Sequence, residues 1–159
     1  MKRNLFFSLI LIGCCACSND ARLLSGDYSY KTSGSVVIST DTEEITYQLP
    51  DKIGQLNVVD LKATDKDSVL LVLNEMGGSL TTIYARISAD SIELQPYTTT
   101  LTITTGTGTG TYDITVSGTG IRYDDLIMLH ETYDGTLSDD NETTLYSDDI
   151  IIVANRNLL

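Results

Sequence analysis

The stretch TTGTGTGTYDITVSGTG, residues 104–120, decides between two kinds of protein. Threonine and glycine alternate from Thr105 to Gly110, a period-two segment runs from Tyr112 to Ser117, and Gly118-Thr119-Gly120 follows. A glycine loop that cradles phosphate follows a buried parallel strand and opens a helix, whose free N–H groups bind the anion. Nothing after these glycines opens a helix. Tyr112–Ser117 is poor in helix formers, and no lysine follows the glycines. The stretch reads as a β-hairpin: Thr99–Thr104 pairs with Thr111–Ser117 across a glycine turn, and Gly118-Thr119-Gly120 makes the next reversal.

The same period of two extends outward on both sides. Ile45, Tyr47 and Leu49 alternate with polar residues, as do Ile83 and Ile87, Ile92 and Leu94, and Tyr112, Ile114 and Val116. One apolar and one polar face mark antiparallel strands packed on a core from one side. Val69–Leu73, Leu126–Leu129 and Ile150–Val153 are apolar on both faces and are expected to be covered on both sides. Turn formers recur at Ser33-Gly34, Leu49-Pro50-Asp51, Asp65-Lys66-Asp67, Met76-Gly77-Gly78, Ala89-Asp90 and Asp134-Gly135. Ser138–Glu142 reads as a long, mobile acidic connection. Roughly nine to eleven strands at this spacing predict an all-β fold. The expected form is a single antiparallel up-and-down barrel of about eight strands with an extra hairpin or edge strand. A β-sandwich is the alternative, because alternation does not tell whether a sheet closes. Ile45, Tyr47, Leu49, Ile83, Ile87, Tyr112, Ile114 and Val116 are expected to point inward.

The N-terminus has a different character. Lys2 and Arg3 precede an apolar run, Leu5–Ile12, that is too short to span a bilayer as a helix and fits a secretory leader. Small residues then meet cysteines at Gly13-Cys14 and Ala16-Cys17, which resembles the lipobox of bacterial lipoproteins. The favoured lipid-modified residue is Cys17, which the polar run Ser18-Asn19-Asp20 follows; Cys14 is the alternative. This divides the chain into a signal peptide (1–16), a lipidated tether (17–23) and a barrel domain (24–159). Each buried acyl CH₂ contributes about 0.8 kcal/mol, so several chains anchor a protein firmly. The expected location is the cell envelope, at the outer membrane.

Composition limits the chemistry. The net charge is −12, and Lys2 and Arg3 leave with the leader, which argues against nucleic acid and anionic membrane surfaces as partners. The two phenylalanines, Phe6 and Phe7, lie in the leader and there is no tryptophan, so the mature aromatics are nine tyrosines. His130 is the one histidine and lies in a strand with Glu131 on the opposite face; no serine sits in a G-x-S-x-G elbow. With one histidine and no spare thiol, a zinc site is not expected, and no EF-hand loop is present. The expectation is a protein without cofactor, metal or catalytic activity.

Leu24-Ser25-Gly26-Asp27-Tyr28 opening a long meander, and Arg156 just after Ile150–Val153, resemble small envelope lipoproteins with a calycin-like (lipocalin-like) barrel. In that family a Gly-x-Trp signature opens the first strand and an arginine near the end of the last strand packs on the tryptophan; here Tyr28 stands in the tryptophan's place. The resemblance implies a barrel-closing pair, Tyr28 and Arg156, and a barrel that binds a small apolar molecule or lipid. Tyr47 and Tyr112 would offer hydroxyls to such a guest. The alternative function is a structural or interaction module with a protein partner in the envelope.

Overall fold

The computed structural model describes residues 20–61, 67–106 and 108–157. A five-residue helix, α1 (Asp20–Leu24), precedes ten strands. These are β1 (Gly26–Ser33), β2 (Ser35–Ser39), β3 (Glu44–Gln48), β4 (Lys52–Asp60), β5 (Ser68–Glu75), β6 (Leu80–Ser88), β7 (Ser91–Thr105), β8 (Gly108–Tyr123), β9 (Leu126–Leu137) and β10 (Asp140–Arg156). All pairings are antiparallel, and eight strands form a ring in the order β1-β4-β5-β6-β7-β8-β9-β10. The ring closes where Tyr28–Ser33 of β1 meets Ile151–Arg156 of β10, which excludes the sandwich. The β2–β3 hairpin is the addition; it hangs on residues 144–146 of β10.

The barrel has two storeys. In the lower one all eight strands pair, and Tyr28, Leu56, Leu71, Ile83, Ile92 and Leu129 fill the interior with others of their cluster. Ala21 and Leu24 of α1 are buried in that cluster. Thus part of the segment expected to be free tether is a helix packed on the domain. The upper storey consists of the long ends of β7–β10 together with β2 and β3. Val36, Ile103, Ile114, Val116, Leu145 and Ile150 form its separate core, and Tyr97 touches both cores.

Between the storeys the strands bend at one level. Leu94, Gly118, Glu131 and Ile150 lie in register across β7, β8, β9 and β10. The ladder slips beside two of them, between Leu94 and Tyr97 in β7 and between Ser147 and Ile150 in β10. At the same level β1 gives way to β2 at Gly34, whose φ is 152°. A Cβ there would stand 2.7 Å from the Asp149 carbonyl oxygen. Asp149 ties the break shut: its carboxylate accepts the Ser35 N–H at 3.0 Å and the Ser35 hydroxyl at 2.9 Å. The Ser35 N–H holds that carboxyl below the usual aspartate range.

Five readings of the sequence are corrected. Asp134-Gly135 makes no turn but lies inside β9. Gly118-Thr119-Gly120 is not a reversal but lies inside β8, and the chain turns later, at Asp124-Asp125. A Cβ on Gly118 would sit 2.4 Å from the His130 carbonyl oxygen of β9, so glycine is there for close approach of strands. The stretch Ser138–Glu142 is no long loop: Ser138-Asp139 is a tight turn and Asp140–Glu142 already belongs to β10, where the Asp140 carboxylate accepts the Glu142 N–H at 2.9 Å and the Thr143 hydroxyl at 3.0 Å. Ile45 is 49% exposed, because β3 is an edge strand and its other neighbour is missing. Finally, the doubly apolar runs bury their inner residues, but Met128 and Ile151 face outward and are exposed.

Replacing Gly118 by alanine should therefore cost about 1–3 kcal/mol through the clash with β9. Thr115→Ala, on the exposed face of the same strand, should stay within about 0.5 kcal/mol of the parent. Urea unfolding of the two variants measures the difference.

Candidate functional site at the barrel waist

β9 carries the key residue. Ile127, Leu129, Glu131 and Tyr133 share its inward face, so alternation that buries two aliphatics also drives a carboxylate inward. Glu131 is 2% exposed. The Tyr97 hydroxyl donates to Oε1 at 3.3 Å and the Tyr133 hydroxyl to Oε2 at 3.2 Å. Burial raises the carboxyl above the ordinary glutamate range, and the two tyrosines and the Lys52 charge offset this only in part. Burial and the negative charge of Glu131 likewise push the Tyr97 and Tyr133 hydroxyls up, so they stay neutral donors.

Glu131 lines a small pocket of about 70 Å³ with Tyr30, Thr32, Lys52, Glu75 and Thr81. A larger cleft of about 400 Å³, lined by Tyr47, Leu49, Pro50, Leu101 and others, shares Thr32, Lys52 and Tyr133 with it. The two adjoin across these three side chains.

Topology explains why it is there. Gly54 of β4 pairs with Glu75 at the end of β5, and the chain turns into β6 at Met76–Ser79, so this wall stops at the waist. Above it β3 pairs with β2, and residues 97–105 of β7 pair with β8, leaving a gap between β3 and β7. The Tyr47 hydroxyl reaches across to the Thr104 carbonyl at 3.1 Å. Lys52, at the lip, pairs with Glu75 at 3.1 Å.

The residues singled out from sequence fall in different places. Tyr47 is in the cleft wall. Tyr112 is buried in the upper core and its hydroxyl is raised by burial; it does not line the cleft. Tyr28 and Arg156 are brought together at the other end of the molecule. They are register partners, the guanidinium carbon lies 5.1 Å from the ring centroid, and Nη2 donates to the Tyr28 hydroxyl at 2.6 Å and to the Leu23 carbonyl at 2.8 Å. The Tyr28 hydroxyl in turn donates to the Leu24 carbonyl at 2.8 Å, so the pair pins α1 to the barrel end. His130 faces solvent. Cys14 and Cys17 lie outside the described residues, and among those described no group of three or more His, Cys, Asp or Glu converges to hold a metal.

Sequence reading missed Glu131, Tyr97, Tyr133 and Lys52 as a group. The signal for Glu131 was its phase: His130, Thr132 and Asp134 set the outward face of β9, which leaves Glu131 inside. Leu126–Leu129, apolar on both faces, concealed that phase.

No protein-family model matches the chain, and no curated protein matches it. Among solved structures it is similar to a mutant of the vaccine antigen transferrin binding protein B from Haemophilus parasuis, at 14% identity and a TM-score of 0.45. The match covers 85% of this chain and 27% of that one, and a likeness so distant carries nothing about what this chain binds.

Two outcomes follow from the geometry. A carboxyl raised by burial makes the folded state bind its proton more tightly than the unfolded chain does. Stability is then lost as pH rises from the ordinary value of about 4.3 through the raised one. Glu131→Gln should melt a few degrees above the parent near pH 8, and the gain should shrink toward zero near pH 4. Arg156→Ala removes the ring contact and both hydrogen bonds, and should cost about 1–3 kcal/mol in chemical denaturation while the waist cleft is unaffected.

Proposed function

We propose that this chain is a non-catalytic envelope protein, lipid-anchored through Cys17 at the outer membrane, that binds a small molecule in the waist cleft. The observation that carries the binding reading is the cleft itself: about 400 Å³, adjoining the Glu131 pocket and within the usual size of ligand sites. Its position differs from the interior of the closed barrel, where the lower core is filled by its own side chains. Its lining differs too. Leu49, Pro50 and Leu101 give an apolar wall, while Tyr47, Thr100 and Thr102 offer hydroxyls, which suits a guest with an apolar body and polar groups better than an acyl chain. Both oxygens of Glu131 are held by tyrosines, and His130 faces away, which favours binding over catalysis. Kinship with lipocalin-like lipoproteins belongs to the same reading and draws support from the Tyr28–Arg156 contact.

A second reading, a module that docks an envelope protein, has its own support. The bonds from Leu49 N–H to Gly34 and from Thr40 N–H to Glu43 set the β2–β3 register, so the main chain of Glu44, Thr46 and Gln48 faces the free edge. With β7 across the gap, an extended segment of a partner could pair there.

Native mass spectrometry of the lipoprotein extracted in mild detergent tests both. The expected result is an acylated N-terminal Cys17 and a co-purifying small mass that is lost when Leu101→Trp fills the cleft. Acylation at Cys14 would move the anchor, and an unlipidated N-terminus would remove it. An empty cleft in a protein that retains a partner chain through the β3 edge would favour the docking module.

A further inference from the structure

We propose that the waist cleft selects a small organic cation, whose charged head enters the small adjoining pocket beside Glu131 while its apolar body lies against Leu49, Pro50 and Leu101. This rests on the reading of the cleft as a ligand site and specifies the chemistry of the guest.

The charge inventory of the space points this way. The ionisable groups that line the small pocket are Tyr30 of β1, Lys52 of β4, Glu75 of β5, Tyr97 of β7, and Glu131 and Tyr133 of β9. Lys52 is engaged with Glu75 at 3.1 Å, which neutralises that pair at the lip. Among the described residues Glu131 is left as the carboxylate without a cation of its own at contact distance. A carboxylate accepts about four hydrogens. Tyr97 and Tyr133 supply one each, so the oxygens keep acceptor capacity.

The surroundings are suited to a cation in two further respects. Three tyrosines, Tyr30, Tyr97 and Tyr133, line the pocket with Glu131. Aromatic rings combined with a carboxylate are the composition that holds ammonium groups. The volume also discriminates. About 70 Å³ accommodates an ammonium with one or two carbons but not an aromatic ring, so the bulk of the guest stays in the wider cleft. An anion would meet Glu131 and Glu75 there, and the net charge of −12 attracts cations from a distance.

Burial keeps the Glu131 carboxyl reluctant to ionise, and a bound ammonium favours its charged form, so binding should release a proton. Affinity should therefore rise with pH until the empty protein's carboxyl is fully ionised.

The test compares three phenyl compounds of similar shape: phenethylamine, phenethyl alcohol and hydrocinnamate, titrated into the isotopically labelled protein and followed by amide chemical shifts. The amine should bind roughly tenfold or more tightly than the alcohol, and hydrocinnamate should leave the cleft amides unmoved. Glu131→Gln should weaken the amine by roughly tenfold and leave the alcohol unchanged, while Lys52→Met should tighten the amine. Equal binding of amine and alcohol would overturn cation selection while leaving the cleft as a ligand site. Preference for hydrocinnamate would overturn it in favour of an anion held by Lys52. If no probe shifts the cleft amides at about 10 mM, cation selection fails outright, and the co-purified mass still judges the ligand site separately. The comparison of the three probes on the parent protein stands even if a variant does not fold.

Discussion

Interstrand spacing is the constraint on which this molecule depends. Antiparallel strands sit about 4.8 Å apart, so the girth of a closed ring is set by how many strands it contains and changes only where strands end. At the waist the β4–β5–β6 wall ends, while β7 to β10 continue and β2–β3 joins them. Six strands cannot close over the girth that eight enclose, so the upper storey is left with a gap. A carboxylate in the filled lower core would bear the full cost of desolvation. One turn of the pleat higher, Glu131 sits where the core stops and the opening begins, and two phenols can reach it.

The bend itself is distributed over several strands. Gly118 lets β8 close on β9, Gly34 lets β1 break into β2, and Asp149 fastens that break through Ser35. Asp149 and Glu131 are both carboxylates at the waist, yet their environments push them in opposite directions. Asp149, near solvent, is held ionised by an N–H and a hydroxyl; Glu131, enclosed, favours its proton. One secures the frame and the other faces the empty space.

Much of the frame was legible in the sequence because period two is a local property. Alternation at Ile83–Ile87 and Tyr112–Val116 marked the strands, and their number favoured a ring with an extra hairpin, but closure itself is decided by the β1–β10 pairing. What escaped depends on residues far away in the chain. A glycine that permits a turn and a glycine that permits a close neighbour look alike, and the His130 carbonyl opposite Gly118 is what separates the two cases. Ile45 alternates correctly, but whether that face is covered depends on a neighbouring strand that is missing. The site was harder still. Tyr97, Lys52 and Glu131 come from three strands and meet only once the register is known, so no spacing along the chain announces them.

The closure between Tyr28 and Arg156 joins positions 128 residues apart. Nearly every other pairing in the ring can form between neighbours in sequence, each hairpin zipping onto the last, whereas this one must wait for the whole meander. Contacts of such long range slow folding, because the entropy of the loop is lost before the contact repays it. Until β10 arrives, β1 presents an unpaired flank and Tyr28 lacks the guanidinium that covers it. The nascent sheet therefore passes through a stage with two open flanks, in which its first strand, already paired with β4, still lacks its second neighbour.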